Sequence, residues 1–177
     1  MFEKGTSFVL SPVVSISTLF KPSFWFNDCI DSTKIDQTQQ REGGERAMRG
    51  ALKTLPTGRK ISYINAHGTS TPVGDVGEVE AVRRVFGEGT TPPVSSTKSM
   101  TGHSQGATGA HEAIYCLLAL QNDFIIPSIN VETLDPALNA AEIATTRVDN
   151  AGLDTVMTNS FGFGGTNGSM LLSKFHG

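Results

Sequence analysis

From Gly43 onward the chain repeats one local plan, and that plan restricts it to a layered α/β fold. A short apolar run ends in a loop of glycines and hydroxyls, and the loop opens into residues at helical spacing. Ile61-Ser62-Tyr63-Ile64-Asn65 alternates as a strand does and runs into Ala66-His67-Gly68. Pro93 to Thr97 reads as a short strand that delivers Lys98 into Ser99-Met100-Thr101-Gly102. Spacing predicts helices over 45–55, from an Asp75 cap to 86, and over 104–121. Further strands are expected near 144–148, 155–160 and 169–175. Helices alternating with strands, closed by an antiparallel pair, imply a mixed sheet packed with helices. The helix over 104–121 is apolar on most of its circumference, which places it in the middle of a fold.

Residues 1–42 do not follow this plan. Eighteen of the 19 Gly lie after residue 42, whereas five of the 10 Phe lie before it. Thr6 to Phe26 is apolar and Ser-rich but broken by Pro12 and by Lys21-Pro22, so it is too interrupted for a membrane span. Asn27 to Glu42 is polar and reads as a linker. We therefore expect a loosely ordered extension over 1–42 and a domain over 43–177. Of the 177 residues 38% are apolar, enough for a core. Fourteen basic against 17 acidic side chains leave no electrostatic footprint for nucleic acid or an anionic membrane. Two cysteines, Cys29 and Cys116, cannot build a disulfide framework and suit a reducing compartment, so a cytoplasmic location is expected.

Three loops carry the residues with chemical potential. The first, His67 to Asp75, sets one imidazole before three hydroxyls and a glycine that allows a ligand near the backbone. The second, Lys98 to His103, places His103 at the start of the long helix. The partial positive charge of a helix N-terminus disfavours imidazolium there, so His103 is expected as a neutral donor. The third, Gly162 to Asn167, is a glycine-rich turn whose N–H groups can face a developing oxyanion. Each has a plain structural explanation when taken alone: a histidine is commonly a hydrogen-bonder, a lysine a surface charge, and a turn between strands wants glycine. His111 and His176 have no comparable setting. No cysteine or third histidine stands at zinc-ligand spacing, and no phosphate-binding GxxxxGK[ST] run occurs, so no metal site is expected.

Taken together, HGTSTPVGD (67–75), KSMTGHSQGATGAHEA (98–113) and NSFGFGGTN (159–167) resemble the C-terminal half of the β-ketoacyl-acyl-carrier-protein synthases, the condensing enzymes of fatty acid synthesis. The wording of 71–75 and of 127–130 looks most like the bacterial type I branch. The resemblance runs from about Gly43 to Lys174, and we find none in 1–42. It implies a thiolase-like layered fold. It also implies that His67 and His103 hydrogen-bond a malonyl thioester oxygen while carbon dioxide leaves, and that Lys98 and Glu112 form an electrostatic scaffold. By the same resemblance Thr69 and Thr71 hold the phosphopantetheine arm and Phe161 lines the substrate site. Phe163 gates the site and lends its N–H to an oxyanion hole, and Asp75 and Glu78 belong to a supporting acidic network. Partners implied are acyl carrier protein, acyl and malonyl thioesters, and either a second copy or a complementary N-terminal half. No cofactor is implied beyond the carrier's phosphopantetheine.

Neither cysteine matches the family's nucleophile. Cys29 lies between Asp28 and Asp31, whose charges raise a thiol pKa, and Cys116 lies in an apolar helix. The chain alone is therefore expected not to condense, and the face that packs on the family's other half is expected to be exposed. Two alternatives stay open: a non-catalytic acyl-thioester or carrier-binding subunit, and a polyketide ketosynthase. A truncated or frameshifted reading frame would account for the break near Gly43.

Overall fold

The computed structural model describes residues 20–26, 37–162 and 165–175, with backbone alone at 20–26 and 37–41. Its strands are β1 (Phe20–Phe26), β2 (Ile61–Asn65), β3 (Val94–Ser95), β4 (Phe124–Ile125), β5 (Val148–Asp149), β6 (Thr155–Phe161) and β7 (Asn167–Lys174). Its α-helices are α1 (Gln37–Leu52), α2 (Gly74–Phe86), the single turn α3 (Lys98–Thr101) and α4 (Thr108–Asn122). Five strands form a mixed sheet in the order β1-β7-β6-β2-β3. β2 is parallel to both β3 and β6, while β7 is antiparallel to β6 and to β1. β4 and β5 form a small antiparallel pair.

Two apolar clusters lie on opposite faces of this sheet, and the strand period of two sorts residues between them. Tyr63, Val156 and Leu172 face α4, with Cys116, Ala119 and Leu120. Their strand neighbours Ile64, Met157 and Leu171 face α1 and α2, with Met48, Ala51, Ala81 and Val82. The arrangement is helix, sheet, helix. Burying one such aliphatic side chain contributes about 1.5–3 kcal/mol, so the paired faces of β2, β6 and β7 supply much of the stability. Gly44 in α1 is a close-approach position, since a Cβ there would sit 2.9 Å from Cζ of Phe161.

The structure departs from the sequence reading in several places, one of them the expected Asp75 cap: Asp75 lies inside the first turn of α2, and its carboxylate turns back to the N–H groups of Ser70 and Thr71. The first helix begins at Gln37, so it runs through the boundary expected at 42/43, because Gln, Arg and Glu there are good helix formers. Phe20–Phe26, expected within a loose extension, forms the outer strand against β7. The strand expected at 144–148 is reduced to a bridge between Val94 and Ile143 and to the two-residue β5. The long helix starts at Thr108 rather than Ser104, after a 3-10 turn over Gln105–Ala107. It also covers only one apolar side: Cys116, Ala119 and Leu120 are buried, while Ile114 and Leu118 are 53% and 46% exposed.

Candidate functional site

The parallel strands β2, β3 and β6 finish at one end of the sheet, where the first two loops and Phe161 come together. The first loop is held by two carboxylates. Glu78, buried in α2, accepts the N–H of His67 at 3.0 Å and that of Gly68 at 2.9 Å. Asp75, in the first turn of α2, accepts the N–H groups of Ser70 at 3.1 Å and Thr71 at 3.3 Å. Between them Ser70 adopts a φ of 62°, a left-handed conformation that a non-glycine residue holds only when its surroundings impose it. Ser96 Oγ donates to the Gly68 carbonyl at 2.7 Å. Burial raises both carboxyls above their ordinary values, and the donated N–H groups work against that rise. Thr69 and Thr71 carry their hydroxyl oxygens 3.4 Å apart at the mouth of this loop.

The imidazoles of His67 and His103 meet edge to face, with ring centroids 5.4 Å apart at 84°. Burial is the main cause that lowers His67 to a pKa of about 4, with further lowering from the Lys98 and His103 charges, so its ring is neutral at ordinary pH. His67 Nδ1 is buried and has no hydrogen-bond partner among the described residues. His103 is not in the helix, and its state follows from local bonds. Its Nδ1 accepts the Gln105 N–H at 3.2 Å, and Thr108 Oγ1 lies 3.0 Å away. A backbone N–H only donates, so Nδ1 is the bare nitrogen and the ring proton sits on Nε2. This arrangement is set by local bonds and not by the helix dipole that the sequence reading invoked.

Lys98 is buried, and its Nζ lies 2.5 Å from Oε1 of Glu112, with side-chain exposures of 4% and 1%. Thr97 Oγ1 donates to the same oxygen at 3.4 Å. Burial raises the Glu112 carboxyl and the ammonium opposes it. Phe161 closes the group, buried at the end of β6, with its ring 6.2 Å from that of His67. Thus His67, His103 and Phe161 come together, Lys98 pairs with Glu112, and Glu78 and Asp75 grip the first loop. Phe163 lies outside the described residues, as does Cys29. Cys116 is fully buried, and burial pushes its thiol up to about 12.

Sequence reasoning missed the buried polar residues behind these loops: Asn65, Thr97, Thr108, Asn159 and Ser169. Polar side chains inside central strands follow no amphipathic period, so only their departure from an apolar run marks them. A cavity of about 620 Å³ opens between α2 and the segment 128–143, lined by Thr71, Asp75, Ser96, Asn130 and Leu134 among others. Neither site histidine lines it. Among the described residues no group of three metal-ligating side chains occurs, and no helix is long and apolar enough to cross a membrane.

Residues 28–132 match the family model described as the β-ketoacyl synthase C-terminal domain, a match that begins ahead of Gly43. The chain is 60% identical over 136 residues to the 3-oxoacyl-[acyl-carrier-protein] synthase 1 of Haemophilus influenzae, covering 77% of this chain and 33% of that protein. A β-ketoacyl synthase structure from Burkholderia phymatum superposes with a TM-score of 0.70 at 34% identity, covering 90% of this chain and 37% of that one. A type II polyketide synthase acyl-carrier protein in complex with its ketosynthase is similar at a TM-score of 0.69 and 25% identity, covering 90% and 38%. The chain spans about a third of the length of the curated relatives it matches. With its mixed α/β sheet and a matched segment that takes in both histidine loops, this chain belongs to the β-ketoacyl synthase family, whose C-terminal domain it carries.

Proposed function

We propose that the pocket formed by His67, His103 and Phe161 binds a malonyl thioester and promotes its decarboxylation, within the β-ketoacyl-[acyl-carrier-protein] synthase reaction of fatty acid synthesis. The observation that carries this reading is the edge-to-face pair of imidazoles, 5.4 Å apart. Each ring donates one hydrogen bond to the thioester oxygen. When the bond between the α-carbon and the carboxylate breaks, carbon dioxide leaves and the electron pair moves into an enolate whose oxygen both donors stabilise. A cationic His67 would favour retention of the carboxylate, and a pKa of about 4 removes that charge. Lys98 and Glu112, paired and buried, fix the field beneath the rings, and Thr69 and Thr71 take the amides of a phosphopantetheine arm. Phe163, by its place in the glycine-rich turn, supplies an N–H to the second oxyanion.

The enolate carbon then attacks an acyl thioester, whose carbonyl carbon loses a thiolate. That thiol does not come from Cys116, which is buried with a raised pKa. Cys29 stands between two aspartates. The acyl-bearing thiol therefore lies outside these 177 residues, in a complementary N-terminal half, and the carrier of both substrates is acyl carrier protein. This extends to the chain what the relatives' names state of those proteins: synthases named for the carrier, and a ketosynthase bound to one. The reaction is placed in the cytoplasm.

The test is carbon dioxide release from a malonyl thioester by the 177-residue chain. Release that disappears in a His67→Ala, His103→Ala double variant supports the reading. Release unaffected by the double variant, with the fold intact, overturns it.

A further inference from the structure

The Glu78 carboxylate grips two successive N–H groups of the His67 loop, yet among the described residues it makes no ion pair. Its Oε1 accepts the His67 N–H at 3.0 Å and the Asn159 Nδ2 amide at 3.1 Å, and its Oε2 accepts the Gly68 N–H at 2.9 Å. All three of these partners are donors. A proton on either oxygen would weaken it as an acceptor for these N–H groups, so the charged, accept-only form suits the grip best. Burial works against that form.

Asn159 answers the burial, and its own orientation is set from behind. Asn159 is fully buried, and its Oδ1 accepts the Ser169 hydroxyl at 2.8 Å. The two residues stand opposite each other in the pairing of β6 with β7. With Oδ1 committed to Ser169, the amide presents its NH₂ and not its oxygen to Glu78. A flipped amide would set an oxygen against a carboxylate oxygen in a dry interior. The chain of bonds runs Ser169 to Asn159 to Glu78 to the backbone of His67 and Gly68.

We propose that Asn159 and Ser169 are positioning residues: they hold Glu78 as a two-pronged acceptor and thereby fix where the His67 ring stands opposite His103. This deepens the proposed function and rests on it for its catalytic meaning, but the geometric claim stands by itself. Asn159 opens the third motif and Ser169 follows it, and neither is one of that motif's glycines or phenylalanines. The first acts from the last strand but one, the second from the last strand.

The experiment is amide hydrogen exchange on the full chain, followed at His67, Gly68 and, as a distant control, Leu120 in α4. Asn159→Leu keeps volume and removes the donor. Exchange at His67 and Gly68 is expected to accelerate at least tenfold, with Leu120 unchanged. Ser169→Ala removes one oxygen from a paired strand, keeps the fold, and is expected to accelerate the same two amides about threefold. In a Glu78→Gln background Asn159→Leu is expected to add less than twofold, because the grip is already altered. Wild-type protection at His67 and Gly68 in both single variants would overturn the proposal. So would equal acceleration at Leu120, which would mark a general loosening. Carbon dioxide release is measured in parallel and is expected to fall in kcat with KM held. If the wild-type chain releases none, the proposed function fails while the exchange result still decides the positioning claim.

Discussion

The Lys98 ammonium and the Glu112 carboxylate meet at 2.5 Å with both side chains almost wholly out of water. This contact ties the loop that carries His103 to the helix that follows it, across 14 residues of chain. Removing one partner strands the other as a buried charge. Lys98→Ala or Glu112→Ala alone is expected to cost about 3–5 kcal/mol in urea denaturation. The joint Lys98→Met, Glu112→Leu replacement is expected to recover most of that loss.

The His67 imidazole is expected to titrate near 4, followed by the carbon-bound ring protons in NMR. Lys98→Met removes a cation that lowers it, so the midpoint is expected to rise. The sign for stability follows from the ordinary imidazole value of 6.5 in the unfolded chain. Between 6.5 and 4 the unfolded chain holds the extra proton, so this contribution is full above 6.5 and is lost as pH falls toward 4. Comparing wild type with His67→Phe isolates it from the buried carboxyls, whose raised values act in the opposite direction. The expected difference is roughly 2 kcal/mol after solvent screening at a part-exposed ring.

Gly44→Ala puts a methyl 2.9 Å from the Phe161 ring, and that ring is packed between α1 and His67. The ring must shift, at a cost of about 1–3 kcal/mol. Thermal unfolding checks the cost. A changed ring-current shift on the His67 protons checks the direction of movement.

Ile114 and Leu118 lie one helical turn apart and half exposed on α4. Ile114→Lys with Leu118→Glu is expected to change the stability of this chain by no more than about 0.5 kcal/mol. The same pair is expected to abolish association with any polypeptide that covers the helix, measured by sedimentation.

The alternation of strands, glycine loops and helices was legible, because period and punctuation are written locally. His67, His103, Lys98 and Glu112 were legible only as members of long motifs; alone, each has an ordinary structural explanation. The Glu78 grip was illegible, since it links a side chain to backbone N–H groups 11 and 10 residues away. The helix start was misread because Ser104 resembles a cap, whereas His103 draws the Gln105 N–H into a 3-10 turn first. β1 was missed because its partner lies at the opposite end of the chain and pairing leaves no mark on either segment alone.

The buried polar pairs between strands have a consequence for assembly of the sheet. A slip of β6 by two residues would keep every apolar side chain on its own face, so the core by itself discriminates weakly against it. It would also carry Phe161 about 7 Å along the strand direction, away from His67. Asn65 Nδ2 on Thr158 Oγ1 at 3.3 Å, Thr155 Oγ1 with Ser173 Oγ at 2.9 Å, and Ser169 Oγ on Asn159 Oδ1 at 2.8 Å each mate only in the native alignment. They act as the teeth of a ratchet: the greasy faces let the strands find one another, and the teeth decide where they stop.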